Sequence, residues 1–228
     1  MKKHIAILDP FPRTLKLIFS KDKFKTLKSN YNLIYAPKKN KKNFYDKNIQ
    51  KASFIIGQPD LPKEILIKAK NLKAIINVES NFMNNMDYQY CFKKGIYVIA
   101  TSPVFSKPVA EIALGMTLSL LRNIHNAHLD FIKGKEKYGL ESNLKASLLS
   151  GKKIGLIGFG DLAKSLYPLL LPFSKDINVY DPWIPKLNIQ KLGFKSISLN
   201  KIFESCDVIY VLATVTTKNK HFIDKKLL

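Results

Sequence analysis

Short apolar runs alternate with polar, helix-like stretches over the first hundred residues. Residues 4–8 form an apolar strand, and 32–35 form another after the polar stretch 21–31. Residues 53–56 follow, ending in the loop Gly57-Gln58-Pro59. Residues 62–70 have helical character and lead into a continuous apolar strand at 72–78. Residues 87–94 read as a helix closed by Gly95, and 96–100 as a β-branched strand. Such runs, separated by helices, predict a parallel sheet covered on both faces. A long helix comes next, starting near Ser106 and Pro108. From Val109 to Leu121 its apolar positions cover almost the whole circumference, which predicts burial in a core or a subunit interface. It runs on with more polar character toward Lys133-Gly134, and 142–150 is a short polar–apolar segment. A second unit then begins: strand 154–157, helix 161–171, strand 177–180, helix 199–205 and buried strand 207–212. Residues 222–228 start a further short element.

Composition narrows the class. The formal net charge is +21, which raises nucleic-acid binding as a question. The distribution argues against it. Only Arg13 and Arg122 are arginines, so guanidinium readout of bases is nearly absent, and the lysines are spread along the chain. No specific nucleic-acid partner is expected. Cys91 and Cys206 form neither a disulfide framework nor a metal pair. The apolar run at the N-terminus ends at once in Asp9-Pro10, too short for a signal sequence. No segment approaches the roughly 20 apolar residues of a membrane span. These features predict a cytoplasmic protein with no membrane partner.

One stretch carries candidate chemistry. I-G-L-I-G-F-G-D-L-A, residues 154–163, reads as strand, glycine turn and helix start. In a dinucleotide site the first glycine permits the tight turn and the second lets the backbone approach a pyrophosphate. The helix then aims its free N–H groups at the anion. Gly158 and Gly160 fill those positions, and Ala163 is small enough for close helix–strand packing. Asp181 ends the next strand, 21 residues past Gly160, where its carboxylate would accept the adenosine ribose hydroxyls. It would repel a 2′-phosphate by roughly 4 kcal/mol at 4 Å and an effective dielectric near 20, favouring NAD over NADP. Asp161 at the helix start would repel the pyrophosphate unless turned to solvent. Pro168 should kink or end the helix.

Four stretches, in order, resemble the D-isomer-specific 2-hydroxyacid dehydrogenases, enzymes that move hydride between NAD and a 2-hydroxy or 2-keto acid. They are L-K-A-I-I-N-V-E-S-N-F-M-N-N-M-D (72–87) with K-K-G-I-Y-V-I-A-T-S-P (93–103), then K-P-V-A-E-I-A-L-G-M-T-L-S-L-L-R (107–122). L-S-G-K-K-I-G-L-I-G-F-G-D-L-A (149–163) and C-D-V-I-Y-V-L-A-T-V-T-T (206–217) complete the set. The resemblance implies an α/β chain: a flavodoxin-like parallel-sheet substrate domain at 1–102, then an incomplete Rossmann NAD-binding domain at 103–228. It implies that Val78, Glu79, Ser80 and Asn81 bind the substrate carboxylate, mostly through backbone N–H groups. Glu79, Ser80 and Asn81 depart from the glycine-rich form common in the family. The implied cofactor contacts are Gly158, Phe159, Gly160, Asp161, Leu162, Asp181, Pro182, Ala213, Thr214 and Val215. A homodimer through the 107–122 helix is implied as well.

Reduction of a keto acid needs a cation on the carbonyl, a proton donor and an acid that orients the donor. The resemblance supplies an Arg, a His and a Glu, all in sequence beyond residue 217 that this chain does not contain. His4, His125, His128 and His221 read as surface or packing residues. The chain therefore reads as C-terminally truncated, with no catalytic residue of its own, negligible turnover and an unpaired apolar edge beside 207–212. The rival reading is a non-catalytic NAD-binding or dimerisation module.

Overall fold

The computed structural model describes residues 3–79, 82–216 and 219–227. Ser80, Asn81 and residues 217, 218 and 228 lie outside the described residues. The chain divides into two compact units, Met1–Ser102 and Pro103–Leu228.

The first unit is a five-stranded parallel sheet. Its elements are β1 (Ile5–Asp9), α1 (Leu15–Ile18), α2 (Lys21–Asn30), β2 (Asn32–Tyr35), α3 (Lys41–Asn48) and β3 (Phe54–Gly57), then α4 (Lys63–Leu66), β4 (Ala74–Ile76), α5 (Tyr88–Lys93) and β5 (Tyr97–Ile99). The strand order is β2-β1-β3-β4-β5, the flavodoxin-like order, with every pairing parallel. Ile7 lies opposite Ile55, and Ile55 opposite Ile75, so all three point to one face. There they pack with Tyr45, Ile49, Leu61 and Cys91. Their neighbours Leu8 and Ile56 point to the other face, covered by Leu15, Phe24 and Leu27. Two-sided burial is why these strands read as unbroken apolar runs.

The second unit contains α6 (Ser102–Leu121) from Pro103 on, then α7 (Ile124–Ile132), α8 (Gly139–Asn143), β6 (Ile154–Ile157), α9 (Asp161–Leu170), β7 (Ile177–Tyr180), α10 (Lys186–Lys191), β8 (Lys195–Ser196), α11 (Leu199–Ser205) and β9 (Val208–Val211). The sheet order is β8-β7-β6-β9, again parallel. This is the 3-2-1-4 portion of a doubly wound dinucleotide-binding sheet. β6 is buried along its whole length. Gly155 lets α11 close on it: a Cβ there would stand 2.8 Å from Ile202. β9 is the edge strand among the described residues, and Val211 is exposed.

Several elements depart from the sequence reading. The polar, helix-like stretch 21–31 is helical over Lys21–Asn30 as α2, its start capped by Ser20 accepting from the Lys23 N–H. The strand expected over 72–78 is regular only at Ala74–Ile76. The long helix begins at Ser102, not beside Pro108, and Pro108 sits inside it. Ser106 turns inward, bonding the Pro103 carbonyl and the Ser165 hydroxyl. The helix stops at Leu121 because Asn123 turns left-handed (φ 55°) before α7. Residues 222–227 form no helix or strand.

α6 bears on two expectations about its surface, and corrects the one that no segment is apolar enough for a membrane span. One face, with Ala110, Ala113, Leu114, Thr117, Leu118 and Leu121, packs on the core of the second unit. The opposite face leaves Ile112, Met116 and Leu120 exposed within the single chain. By length and composition alone the helix is apolar enough to cross a membrane. Its apolar run is interrupted by Lys107 and Glu111 as well as by Ser, Gly and Thr residues.

A buried charge anchors the carboxyl end of β1. Asp9 is 1% exposed and accepts from Lys41 Nζ at 2.7 Å and from the Tyr45 hydroxyl at 2.9 Å. Burial, then the Asp9 charge, push the Tyr45 phenol far above its usual range. The phenol therefore remains a donor through neutral pH, and this stabilisation fades only as pH rises into the strongly alkaline range. Tyr45→Phe should cost about 1–2 kcal/mol in urea denaturation at pH 7, by leaving a buried carboxylate oxygen one donor short.

Candidate functional site

In the second unit the site forms at the carboxyl ends of β6, β7 and β9. There the chain runs to β7 on one side of β6 and to β9 on the other, the switch point where open α/β sheets bind ligands. A cleft of about 430 Å³ lies there, lined by Gly158, Gly160, Asp181, Pro182, Ala213 and Thr214 together with Tyr180, Trp183 and Phe222.

The two turn glycines do different work. Gly158 has φ +92°, and a Cβ on it would lie 2.8 Å from the Ala213 backbone. It serves both the turn and the close approach of the segment after β9, where the Leu212 N–H reaches the Ile157 carbonyl at 2.8 Å. Gly160 has an ordinary φ of −81°, and a Cβ there would meet nothing within 4 Å. The missing side chain at Gly160 leaves open space in front of the first turn of α9, whose leading N–H groups have no helical acceptor. Ala163 is fully buried at the helix–sheet contact.

Asp181 is held by the backbone. One carboxylate oxygen accepts from the Phe159 N–H at 2.8 Å, and the other from Trp183 and Ile184 at 2.8 and 3.0 Å. Three of its roughly four acceptor positions are thus filled by the protein, leaving room for one further donor. The carboxylate ties the glycine turn to the end of β7.

The cleft does not gather all the candidates. The Phe159 ring is buried against Tyr167 and Phe194. Asp161, Leu162 and Val215 do not line the cleft, Val215 being largely exposed. α9 runs two residues past Pro168, so the proline falls in the last turn, where little helix remains to be broken. The sequence reading missed Trp183, Phe222 and Asn219. Asn219 clips the loop after β9 by accepting from the Thr216 N–H at 2.6 Å and donating to the Thr214 carbonyl at 2.8 Å. Trp183 stands two residues past Asp181, whereas no motif marks Asn219 and Phe222, which only the folded loop brings to the cleft.

In the first unit, Val78 is buried and Glu79 follows β4. Ser80 and Asn81 are outside the described residues. The Glu79 carboxylate accepts a two-point bond from Arg13: Nε to Oε1 at 2.9 Å and Nη2 to Oε2 at 3.1 Å. Three neighbouring positions, also missed from sequence, carry buried polar atoms without a hydrogen-bond partner. They are Gln58 Oε1 after β3, both side-chain polar atoms of Asn77 after β4, and Thr101 Oγ1 after β5. The Asn77 amide acts on the nearby Tyr88 phenol, partly offsetting the rise that burial gives its pKa, but no well-formed bond joins them. Buried polar atoms left unpaired are costly, and all of these stand at the carboxyl ends of β3, β4 and β5. The available signal was positional: each stands one or two residues beyond an apolar strand.

His4 bonds Ser53 at 3.1 Å, just ahead of β1 and so at the sheet's amino end. His125, His128 and His221 are exposed. The described residues contain no cluster of metal-ligating side chains.

A doubly wound parallel sheet with a glycine turn, an open helix N-terminus and an acid at the end of the second strand defines a dinucleotide-binding domain. Residues 114–228 match the family model described as D-isomer specific 2-hydroxyacid dehydrogenase, NAD binding domain, and the chain belongs to that family. It is 31% identical over 163 residues to a hydroxypyruvate reductase from Thermotoga maritima, covering 72% of this chain and 51% of that protein. It is 28% identical over 165 residues to a D-3-phosphoglycerate dehydrogenase from Methanocaldococcus jannaschii, covering 72% of this chain and 31% of that protein. Among solved structures, a phosphoglycerate oxidoreductase from Rhizobium etli superposes with a TM-score of 0.77 at 41% identity, over 92% of this chain and 66% of that one. An NAD-dependent formate dehydrogenase from Staphylococcus aureus in complex with NAD gives a TM-score of 0.69 at 27% identity, over 98% and 69%. The matches thus span about half, or less, of the length of these two sequence relatives.

The glycines separate two effects. Gly158→Ala should destabilise the second unit by about 1–3 kcal/mol, from its left-handed φ and the contact with Ala213. Gly160→Ala should leave thermal unfolding within about 0.5 kcal/mol of the parent. Denaturation curves of the two variants check both expectations.

Proposed function

We propose that this chain carries the NAD-binding part and the substrate-carboxylate loop of a D-isomer-specific 2-hydroxyacid dehydrogenase. Gly158, Gly160 and the first turn of α9, which includes Asp161 and Leu162, receive the pyrophosphate. Asp181 and Pro182 meet the adenosine ribose, while Ala213 and Thr214 line the cofactor and Val215, exposed outside the cleft, does not. The backbone at Val78, Glu79, Ser80 and Asn81 receives the carboxylate of a 2-hydroxy or 2-keto acid. NAD, when bound, supplies the hydride acceptor for oxidation of a CH–OH group. The observation that carries the reading is the open space before Gly160, at the N-terminus of α9, in the same cleft as the anchored Asp181.

Among the described residues that line the cleft there is no lysine, arginine or histidine to polarise a carbonyl or deliver a proton. Arg13 is committed to Glu79, and the four histidines lie outside the residues lining the cleft. The chain alone therefore binds cofactor without appreciable turnover. We place it in the cytoplasm, where its two free cysteines, with Cys91 buried and its thiol pushed up to about 11 by that burial, stay reduced.

Fluorescence titration with NADH tests this reading. The parent should bind NADH, bind NADPH at least about tenfold more weakly, and lose most NADH affinity on Gly160→Ala or Asp181→Ala. No NADH binding by a folded chain would overturn the proposal, and NADH-dependent reduction of a keto acid would overturn the absence of turnover.

A homodimer through the 107–122 helix is favoured by the i, i+4, i+8 stripe of Ile112, Met116 and Leu120, all exposed in the single chain. Ile112→Lys with Met116→Lys should convert a dimer to a monomer in sedimentation velocity while the circular dichroism spectrum is unchanged.

A further inference from the structure

Glu79 poses a problem for the loop in which it stands. A carboxylate beside a site for another carboxylate repels its own ligand. The structure shows where that charge goes. Arg13 stands in the turn after β1, whereas Glu79 follows β4, with β3 between the two strands. Two strand spacings are roughly 10 Å, a gap that suits a long side chain. Both guanidinium–carboxylate contacts are short, 2.9 and 3.1 Å, and both side chains are about two-thirds covered (33% and 30% exposed). The chain holds 38 basic residues and only two arginines. At this position the base is an arginine, whose planar fork meets both carboxylate oxygens at once, as a lysine cannot. The Glu79 carbonyl also accepts from the Thr101 N–H at 3.4 Å, holding the start of the loop against the end of β5.

We infer that Arg13 is a positioning residue for substrate binding: it holds the Glu79 carboxylate aside and neutralised, so that the loop after β4 accepts the carboxylate of a 2-hydroxy or 2-keto acid. The inference rests on the proposed substrate role of that loop. The unpaired polar atoms of Gln58, Asn77 and Thr101 at the adjacent strand ends are an independent sign of a polar ligand there. Arg13 acts through Glu79 and is not itself the ligand's partner, and this separates it from a simple substrate-binding cation.

Oxamate, a non-reacting isostere of a 2-keto acid, is the probe, titrated into the ¹⁵N-labelled full chain and followed by amide chemical shifts. The same spectra report whether each variant is folded. The parent should show saturable shifts in residues adjoining β4 and β5. Arg13→Met should weaken oxamate binding about tenfold, because an unpartnered carboxylate then faces the probe. Arg13→Met combined with Glu79→Gln should recover parent affinity, since no charge remains to be held aside. Equal affinity in parent and Arg13→Met would overturn the inference while leaving the substrate reading intact. A double variant as weak as Arg13→Met would also overturn it, showing that Arg13 binds the probe directly or acts as a staple. No oxamate binding by the folded parent would overturn the substrate reading, and the inference with it.

Discussion

The carboxylate of Asp181 is the constraint on which the second unit's site depends. With one oxygen it holds the Phe159 N–H in the glycine turn, and with the other it holds Trp183 and Ile184 beyond β7. β6 and β7 pair in register up to Ile157 and Tyr180, and the Gly158 N–H continues that pairing to the Tyr180 carbonyl at 2.8 Å. The turn is therefore shaped from both sides before any ligand arrives. Charge-assisted bonds to backbone N–H groups are stronger than neutral ones and do not depend on a second side chain. A preorganised turn lets the helix N-terminus face an anion without first paying to order the loop.

The first unit solves a related problem with opposite means. Its loop after β4 carries the acidic side chain of Glu79, and a two-point ion pair from the turn after β1 holds it. Around that pair the carboxyl ends of three parallel strands bring together Gln58, Asn77 and Thr101, none of which finds a partner for every buried polar atom. Parallel strands end at one edge of their sheet, so residues far apart in the chain meet there. In both units the candidate chemistry lies at that edge and the apolar packing lies behind it.

α6 shows how one sequence pattern serves two surfaces. Ala110, Ala113, Leu114 and Thr117 give the side that packs on the second unit's core, where the Thr117 hydroxyl also meets Tyr210 of β9 at 2.7 Å. Burial raises the Tyr210 pKa, with the Thr117 bond opposing, so the phenol stays neutral. The apolar residues on the far side are not used within the chain. An all-round apolar helix announces that both sides want covering, but not by what.

The sequence by itself determined the fold class and the ligand-binding turn. Unbroken runs such as those around Ile7, Ile55 and Ile154 are legible because strands buried on both faces cannot afford polar residues. Gly158, Gly160 and Asp181 are legible because a tight turn, an open approach and an acid at a strand end are local demands at fixed spacing. Tertiary structure alone decided the rest. That the helix-like segment 21–31 lies on the face of Leu8 and Ile56, through Phe24 and Leu27, is set by the sheet. Pro108 lies inside α6 rather than at its start, with Ser106 turned to Ser165. Arg13 meets Glu79 across 66 residues of chain, and Asn219 and Phe222 reach the cleft through a loop with no period of its own. Periodicity reports which face a residue shows. Which distant residue comes to meet it is set by strand order, and that order exists only once the sheet has formed.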